Sequence, residues 1–465
     1  MKNLLAKAFL LLLLVLVQFA ALSQAVPDKL NAAFQAFQND PQLRHAIASL
    51  YVVDAKTGQV VFDKNGMIGL APASTLKVIT SVSAYELLGD GYTYQTKMAY
   101  QKTNDGALLL LLPGGDPTFG SWRWKSTTEE VALQDAALAI RNLGIKTIKK
   151  VRVDNSGWNE ETVPDGWIWQ DVGNYYGAGP SKLNWRENQY DVILKSGSQL
   201  GSAVSIVKTV PALYGYTLRS ELSAASAGTG DNAFIYFPLN AQSAVIRGTI
   251  PVNENSFKIS GALPSPAHQF AGSLSDALQR MGVQSPKSIT VREQSKSELG
   301  SFTTFHTITS PPLDSIVYWF NRKSINLYGE ALLKTMAFKH SGSGSTDKGV
   351  ALLQNYWSKR GVPETELSIV DGSGLSPLNR VTTHAQVSIL QHARKQPWFD
   401  GFYTSLPVYN GIKMKSGTIR GVKGYTGYHT GKDGKTYTFS FLVNNYNGSS
   451  SALVKKMYKV LDELK

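Results

Sequence analysis

From residue 93 to 299 the sequence breaks into short alternating apolar segments separated by Gly, Asn, Asp and Pro. On either side, longer segments carry apolar residues at helical spacing. A middle of one texture bounded by ends of another predicts a single α+β domain, 26–92 together with 300–465, interrupted by a β-rich module at 93–299. The ends supply the expected pieces. A helix with Leu30, Phe34 and Phe37 on one face is followed by a β-hairpin over 46–63, a helix over 78–88 and longer helices over 313–337, 348–360 and 383–394. Two strands (422–430 and 437–444) and a last helix (450–464) close the chain. Of the 465 residues, 43% are hydrophobic and 17% charged, which is enough to bury real cores.

The first 25 residues read as an export leader rather than as part of a fold. Lys2 and Lys7 precede a leucine-rich apolar run, and Ser23-Gln24-Ala25 forms a small-x-small cleavage pattern. Cleavage is expected after Ala25, with the product delivered to the periplasm. With no cysteine in the chain, disulfides, thiol catalysis and cysteine-ligated metals are excluded. The formal charge of +13 suits an anionic partner, yet the basic residues form no block of about five or six. Nucleic acid is therefore not an expected partner, whereas contact with an anionic wall or the periphery of a membrane fits the charge.

The chain lacks a His-Glu-x-x-His helix and a Gly-x-Ser-x-Gly turn, and its seven histidines show no ligand spacing. No metal or organic cofactor is implied. What the sequence does offer is a serine followed three residues later by a lysine, Ser74 and Lys77, just where an apolar helix begins. That spacing puts amine and hydroxyl on one face, and an amine kept neutral by burial can take the serine's proton. Ser205/Lys208 and Ser345/Lys348 repeat the spacing, but the first lies on a strand-like segment and the second in a Gly/Ser stretch. Ser-x-Asn occurs once, at Ser324-Ile325-Asn326 within an apolar helical region, where both polar side chains need partners. Lys415-Ser416-Gly417-Thr418 precedes the last strands. A cation and two hydroxyls on an edge strand, with a glycine permitting close approach, suit a peptide that ends in a carboxylate.

In this order the motifs resemble those of the serine β-lactamases and penicillin-binding proteins. The 246 residues between Lys77 and Ser324 exceed what a simple β-lactamase holds. With Gly114-Gly115-Asp116-Pro117-Thr118 and Asp371-Gly372-Ser373-Gly374-Leu375-Ser376, they narrow the resemblance to the class C low-molecular-mass penicillin-binding proteins. The resemblance implies a D-alanyl-D-alanine carboxypeptidase and endopeptidase acting on peptidoglycan peptides, acylated by β-lactam antibiotics. It implies that Ser74 is the nucleophile, Lys77 its proton acceptor, Ser324 a relay to the leaving amine and Lys415 a cation beside that relay. Asn326 would bind the substrate backbone, and Ser416, Gly417 and Thr418 would seat the terminal carboxylate. The backbone N–H groups of Ser74 and Thr418 would form the oxyanion hole.

Asp171, in the inserted module, would meet the free ammonium of a diaminopimelate side chain. Where the family often carries an arginine after the Asp-Gly-Ser-Gly-Leu-Ser run, this chain has Pro377, and Arg380 is the nearest substitute. Asp371 itself reads as a turn-capping residue rather than a catalytic one. Two other readings stay open: a β-lactamase or esterase on the same scaffold, and an inactive wall-binding protein. The long insert and the lack of a deacylating glutamate motif weigh against the first, and the intact motifs against the second.

Overall fold

The computed structural model describes residues 26–238 and 241–465, so the expected leader lies outside the described residues. Sheet pairing joins the two ends of the chain. Strand Ile47–Asp54 pairs antiparallel with Thr436–Asn444, placing Leu50 opposite Phe441. The sheet has six strands, in the order Val408–Tyr409, Ile412–Ile419, Val422–Thr430, Thr436–Asn444, Ile47–Asp54 and Val60–Lys64.

Alternation along the buried strand Thr436–Asn444 builds a layer on each face. Tyr437, Phe439, Phe441 and Val443 pack with the terminal helices Val26–Gln38 and Ser450–Leu461, through Leu30, Phe34, Leu453 and Met457. On the opposite face, Thr438 and Ser440 meet Gln391 and Gln386 of helix Thr383–Ala393. Leu442 there joins a core formed with helices Lys77–Leu88, Leu313–Lys323 and Asn326–Ser341. This is the α+β architecture expected of the ends.

Besides its strands and the helix that the sequence predicts over 129–143, the middle holds a second long helix. Helices Glu129–Asn142 and Pro266–Arg280 share a core with the five-stranded sheet that includes Gly106–Leu112 and Ile148–Asp154. Two three-stranded sheets pack around a separate core containing Tyr190, Leu222 and Ile246. Strand Thr303–Thr309 pairs with Gln95–Thr103, so sheet membership runs past residue 300, where the change of texture had put the boundary. The strand alternates without strong hydrophobicity, and its partner lies some two hundred residues earlier, which local patterning cannot register. A buried ion pair between Arg123 and Glu187, with Tyr328 hydroxyl on the same carboxylate, fastens this middle region to helix Asn326–Ser341.

A second difference is a break. The apolar pattern over 313–337 predicts one helix, but the chain forms two, ending the first at Ser324 with φ 55° and ψ 42°. A left-handed residue ends a helix readily, though it is usually glycine or asparagine, so a serine held there is an unusual choice. Among the described residues no helix is long and apolar enough to cross a membrane.

Candidate active site

Ser74 lies in a 3-10 turn, Ala73–Leu76, and Lys77 opens the α-helix that continues from it. A 3-10 turn brings residues i and i+3 into line, so the lysine stem rises directly beside the hydroxyl. Ala73 holds φ at +46°, a left-handed conformation on the residue before the serine. Gly374, at φ +80°, lies so close that a Cβ there would come within 1.9 Å of Ala73 O. The turn is thus clamped between the 371–376 loop and, on its other side, strand Ile412–Ile419. A Cβ on Gly417 would meet Pro72 O at 2.5 Å and Ser74 N at 3.0 Å.

Lys77 is fully buried. Its Nζ lies 3.0 Å from Ser74 Oγ, 2.7 Å from Asn326 Oδ1 and 2.6 Å from Ser373 O. The Asn326 amide donates from Nδ2 to Tyr176 O at 2.7 Å, which fixes its oxygen toward the lysine. Asn326 Oδ1 and Ser373 O can only accept, so they take two N–H bonds from Lys77. Burial pushes the Lys77 ammonium down to about 7, against the opposing pull of Asp371 and Glu330. In the neutral amine the remaining position is a lone pair, and it faces Ser74 Oγ.

The break at Ser324 turns its hydroxyl toward strand Ile412–Ile419, where Lys415 Nζ donates to Ser324 Oγ at 3.0 Å and to Ser416 O at 2.9 Å. Lys415 is also buried, and burial, with Lys77 and Lys423 nearby, holds it well below the ordinary lysine range. The edge strand Val408–Tyr409 pairs only with Ile412 and Lys413, leaving the outer edge of Lys415–Thr418 unpaired by it. Ser74, Lys77 and Asn326 therefore form one hydrogen-bonded set and Ser324 and Lys415 a second, near enough that the charge of Lys77 acts on Lys415, beside a strand edge carrying Ser416, Gly417 and Thr418.

The profile of the D-Ala-D-Ala carboxypeptidase 3 (S13) family matches residues 30–464. The chain belongs to this family. It is 25% identical over 466 residues to the D-alanyl-D-alanine carboxypeptidase of Actinomadura sp. (strain R39), covering 92% of this chain and 83% of that one. It is 23% identical over 414 residues to D-alanyl-D-alanine carboxypeptidase DacB of Haemophilus influenzae, covering 84% and 83%. The crystal structure of penicillin binding protein 4 from the same organism superposes with a TM-score of 0.79 at 20% identity, over 92% of this chain and 98% of that one. The class C penicillin-binding assignment and its α+β peptidase fold follow.

In this S13 chain the 371–376 loop is held by Asp371. Its buried carboxylate accepts from Gly374 N and Ser376 N, both at 2.7 Å, from Asn379 Nδ2 at 2.9 Å and from Trp167 Nε1 at 3.0 Å. Those bonds fold the loop that delivers Ser373 O to Lys77, and they leave the carboxylate no free site for catalysis. Asp171, half-buried in the short helix Trp169–Val172, is pushed up to about 6 by burial, against the hydroxyl of Tyr176. Through Tyr176, whose carbonyl holds Asn326, it stands at the border of the cluster. Arg380 is turned back on its own loop, donating to Pro377 O and Asn379 O.

The motifs did not single out the carbonyls of Ser373 and Tyr176, the buried Glu330 or Lys423. Backbone carbonyls leave no signature in a sequence. Glu330 carries no motif of its own and shares its helix with Lys334 and Lys339. Its carboxylate accepts from Gly372 N at 2.9 Å, and burial beside Asp371 pushes it up.

Proposed function

We propose that this protein is an exported serine D-alanyl-D-alanine carboxypeptidase and endopeptidase. It would open peptidoglycan stem peptides and cross-links through an acyl-enzyme on Ser74. The observation that carries the chemistry is the position of Lys77 Nζ, 3.0 Å from Ser74 Oγ with two obligate acceptors, Asn326 Oδ1 and Ser373 O, as its other partners, which in the neutral amine leaves the lone pair for the serine hydroxyl. Ser74 Oγ gives its proton to Lys77 and attacks the carbonyl carbon before the terminal D-Ala. Backbone N–H groups of Ser74 and Thr418 receive the oxyanion, an interaction in which losing one donor costs about 10²–10³ in rate. As the C–N bond breaks, the proton returns through the Ser324 hydroxyl to the leaving amine, with Lys415 donating to Ser324 Oγ. Water then hydrolyses the ester.

Ser416 and Thr418 seat the terminal carboxylate, and Gly417 lets their strand approach the turn. Asn326 spends its oxygen on Lys77 and one N–H on Tyr176, leaving a second N–H for the substrate backbone. β-Lactams acylate the same serine. Peptidoglycan peptides are the partners, and the leader at 1–25 directs the chain to the periplasm. Sheet pairing supports an inserted module running from about Thr93 to Thr309, later in its end than the change of texture suggests.

The wild-type enzyme is expected to release D-Ala from an acyl-D-Ala-D-Ala peptide and to be titrated by one equivalent of penicillin. Rapid turnover of penicillin without D-Ala release would identify a β-lactamase instead. Asp171 pairs with the side-chain ammonium of the stem peptide's third residue. Asp171→Asn should lower kcat/KM for an amine-bearing peptide by about tenfold and leave its N-acetylated counterpart unchanged. Equal activity of Asp171→Asn on both peptides relative to wild type would remove Asp171 from substrate recognition.

A further inference from the structure

Across the hairpin from Thr418 stands Lys423, its register partner in the antiparallel pair formed by Ile412–Ile419 and Val422–Thr430. Its Nζ donates to Thr418 Oγ1 at 2.7 Å and lies 5.1 Å from the centre of the Tyr425 ring. The side chain is half-buried, and desolvation holds the ammonium below the ordinary lysine range. Among the described residues no carboxylate is within ion-pair distance of it, whereas the buried Lys182 is paired with Asp154. Lys415 behind it likewise has no acid partner among the described residues, so no carboxylate of the chain neutralises either amine at the pocket mouth.

Thr418 accepts from Lys423, so its own O–H is free to donate. Lys423 uses one of its three N–H bonds on Thr418 and keeps two. Together they present several donors and a full charge at the unpaired strand edge, complementary to a carboxylate.

We propose that Lys423 is a specificity-determining residue of this site: its ammonium, held by Thr418 Oγ1, pairs with the α-carboxylate of the residue that leaves. The inference rests on the D-Ala-D-Ala reading above and adds to it the side chain that supplies a full charge for this carboxylate. Ser416 and Thr418 alone offer only neutral hydroxyls, which would bind a terminal amide nearly as well.

The test compares acyl-D-Ala-D-Ala with the same peptide carrying a C-terminal amide, using wild type, Lys423→Met and Lys423→Arg. Wild type should favour the acid. Lys423→Met should raise KM for the acid by about 10- to 100-fold with little change in kcat, leave the amide untouched and so abolish the preference. Lys423→Arg should restore most of it. An active enzyme whose acid-to-amide ratio survives Lys423→Met would overturn the assignment. So would equal losses on acid and amide, the mark of a residue that only supports the strand. A wild-type enzyme inert toward both peptides would instead contradict the D-Ala-D-Ala reading itself, and the role of Lys423 with it.

Discussion

Replacing Lys77 by methionine is expected to slow acylation of Ser74 by penicillin by about 10²–10⁴-fold, the range supplied by a positioned general base. Methionine keeps an unbranched chain in the fully buried slot, but its thioether sulfur is far too weak a base to take the serine proton. It also strips Asn326 Oδ1 and Ser373 O of their donor, so some thermal stability should go as well, about 1–3 kcal/mol for each orphaned acceptor. The pH profile separates the two effects. Because burial pushes Lys77 down to about 7, the amine is protonated and inert below that point and neutral above it. Wild-type acylation should therefore rise about tenfold per pH unit up to about 7 and then level off. The residual rate of Lys77→Met should show no such limb. An unchanged profile in the variant would assign the base to another group.

Gly417→Ala should lower acylation by about 100-fold while the chain still folds. The φ of Gly417 lies outside the left-handed range, so alanine fits the backbone there, and the obstacle is what its methyl would touch. At 2.5 Å from Pro72 O, 2.9 Å from Thr75 N and 3.0 Å from Ser74 N, the methyl would force the strand away from the turn that carries Ser74. A shift of about 1 Å between reacting groups costs about 10²-fold in rate. Overpacking of this kind costs about 1–3 kcal/mol in stability, which a thermal melt would show as a modest loss. A variant acylated at the wild-type rate would mean that the close approach of strand and turn does not matter to the chemistry. Gly374→Ala makes a sharper contrast, since it meets Ala73 O at 1.9 Å and also demands φ +80°, so it should damage folding as well as acylation.

These two positions illustrate what the sequence made legible. The identity and order of Ser74, Lys77, Ser324, Asn326 and Lys415 were readable because each motif combines residue types that are costly to bury without a partner. The union of the two chain ends in one sheet was readable as a change of texture. The break after Lys323 was not, because apolar spacing runs straight through Ser324, and only its left-handed backbone turns the serine toward Lys415. Tyr176 O and Ser373 O were not readable either, since any residue type supplies a carbonyl and tertiary packing alone decides which one reaches Asn326 or Lys77. Asp371 was readable as a turn, since two of its four bonds cap the run's own backbone at Gly374 N and Ser376 N. Lys423 looked like any surface lysine until the hairpin register set it opposite Thr418.

The central claim is that Ser74 is the nucleophile and that its oxygen carries the acyl group. Incubating the full-length protein with penicillin, digesting it and locating the adduct by mass spectrometry tests this directly. The account predicts a single adduct, of one penicillin per chain, on the peptide containing Ser74 and on that serine. An adduct on any other serine, or none at all under conditions where D-Ala is released, would contradict it.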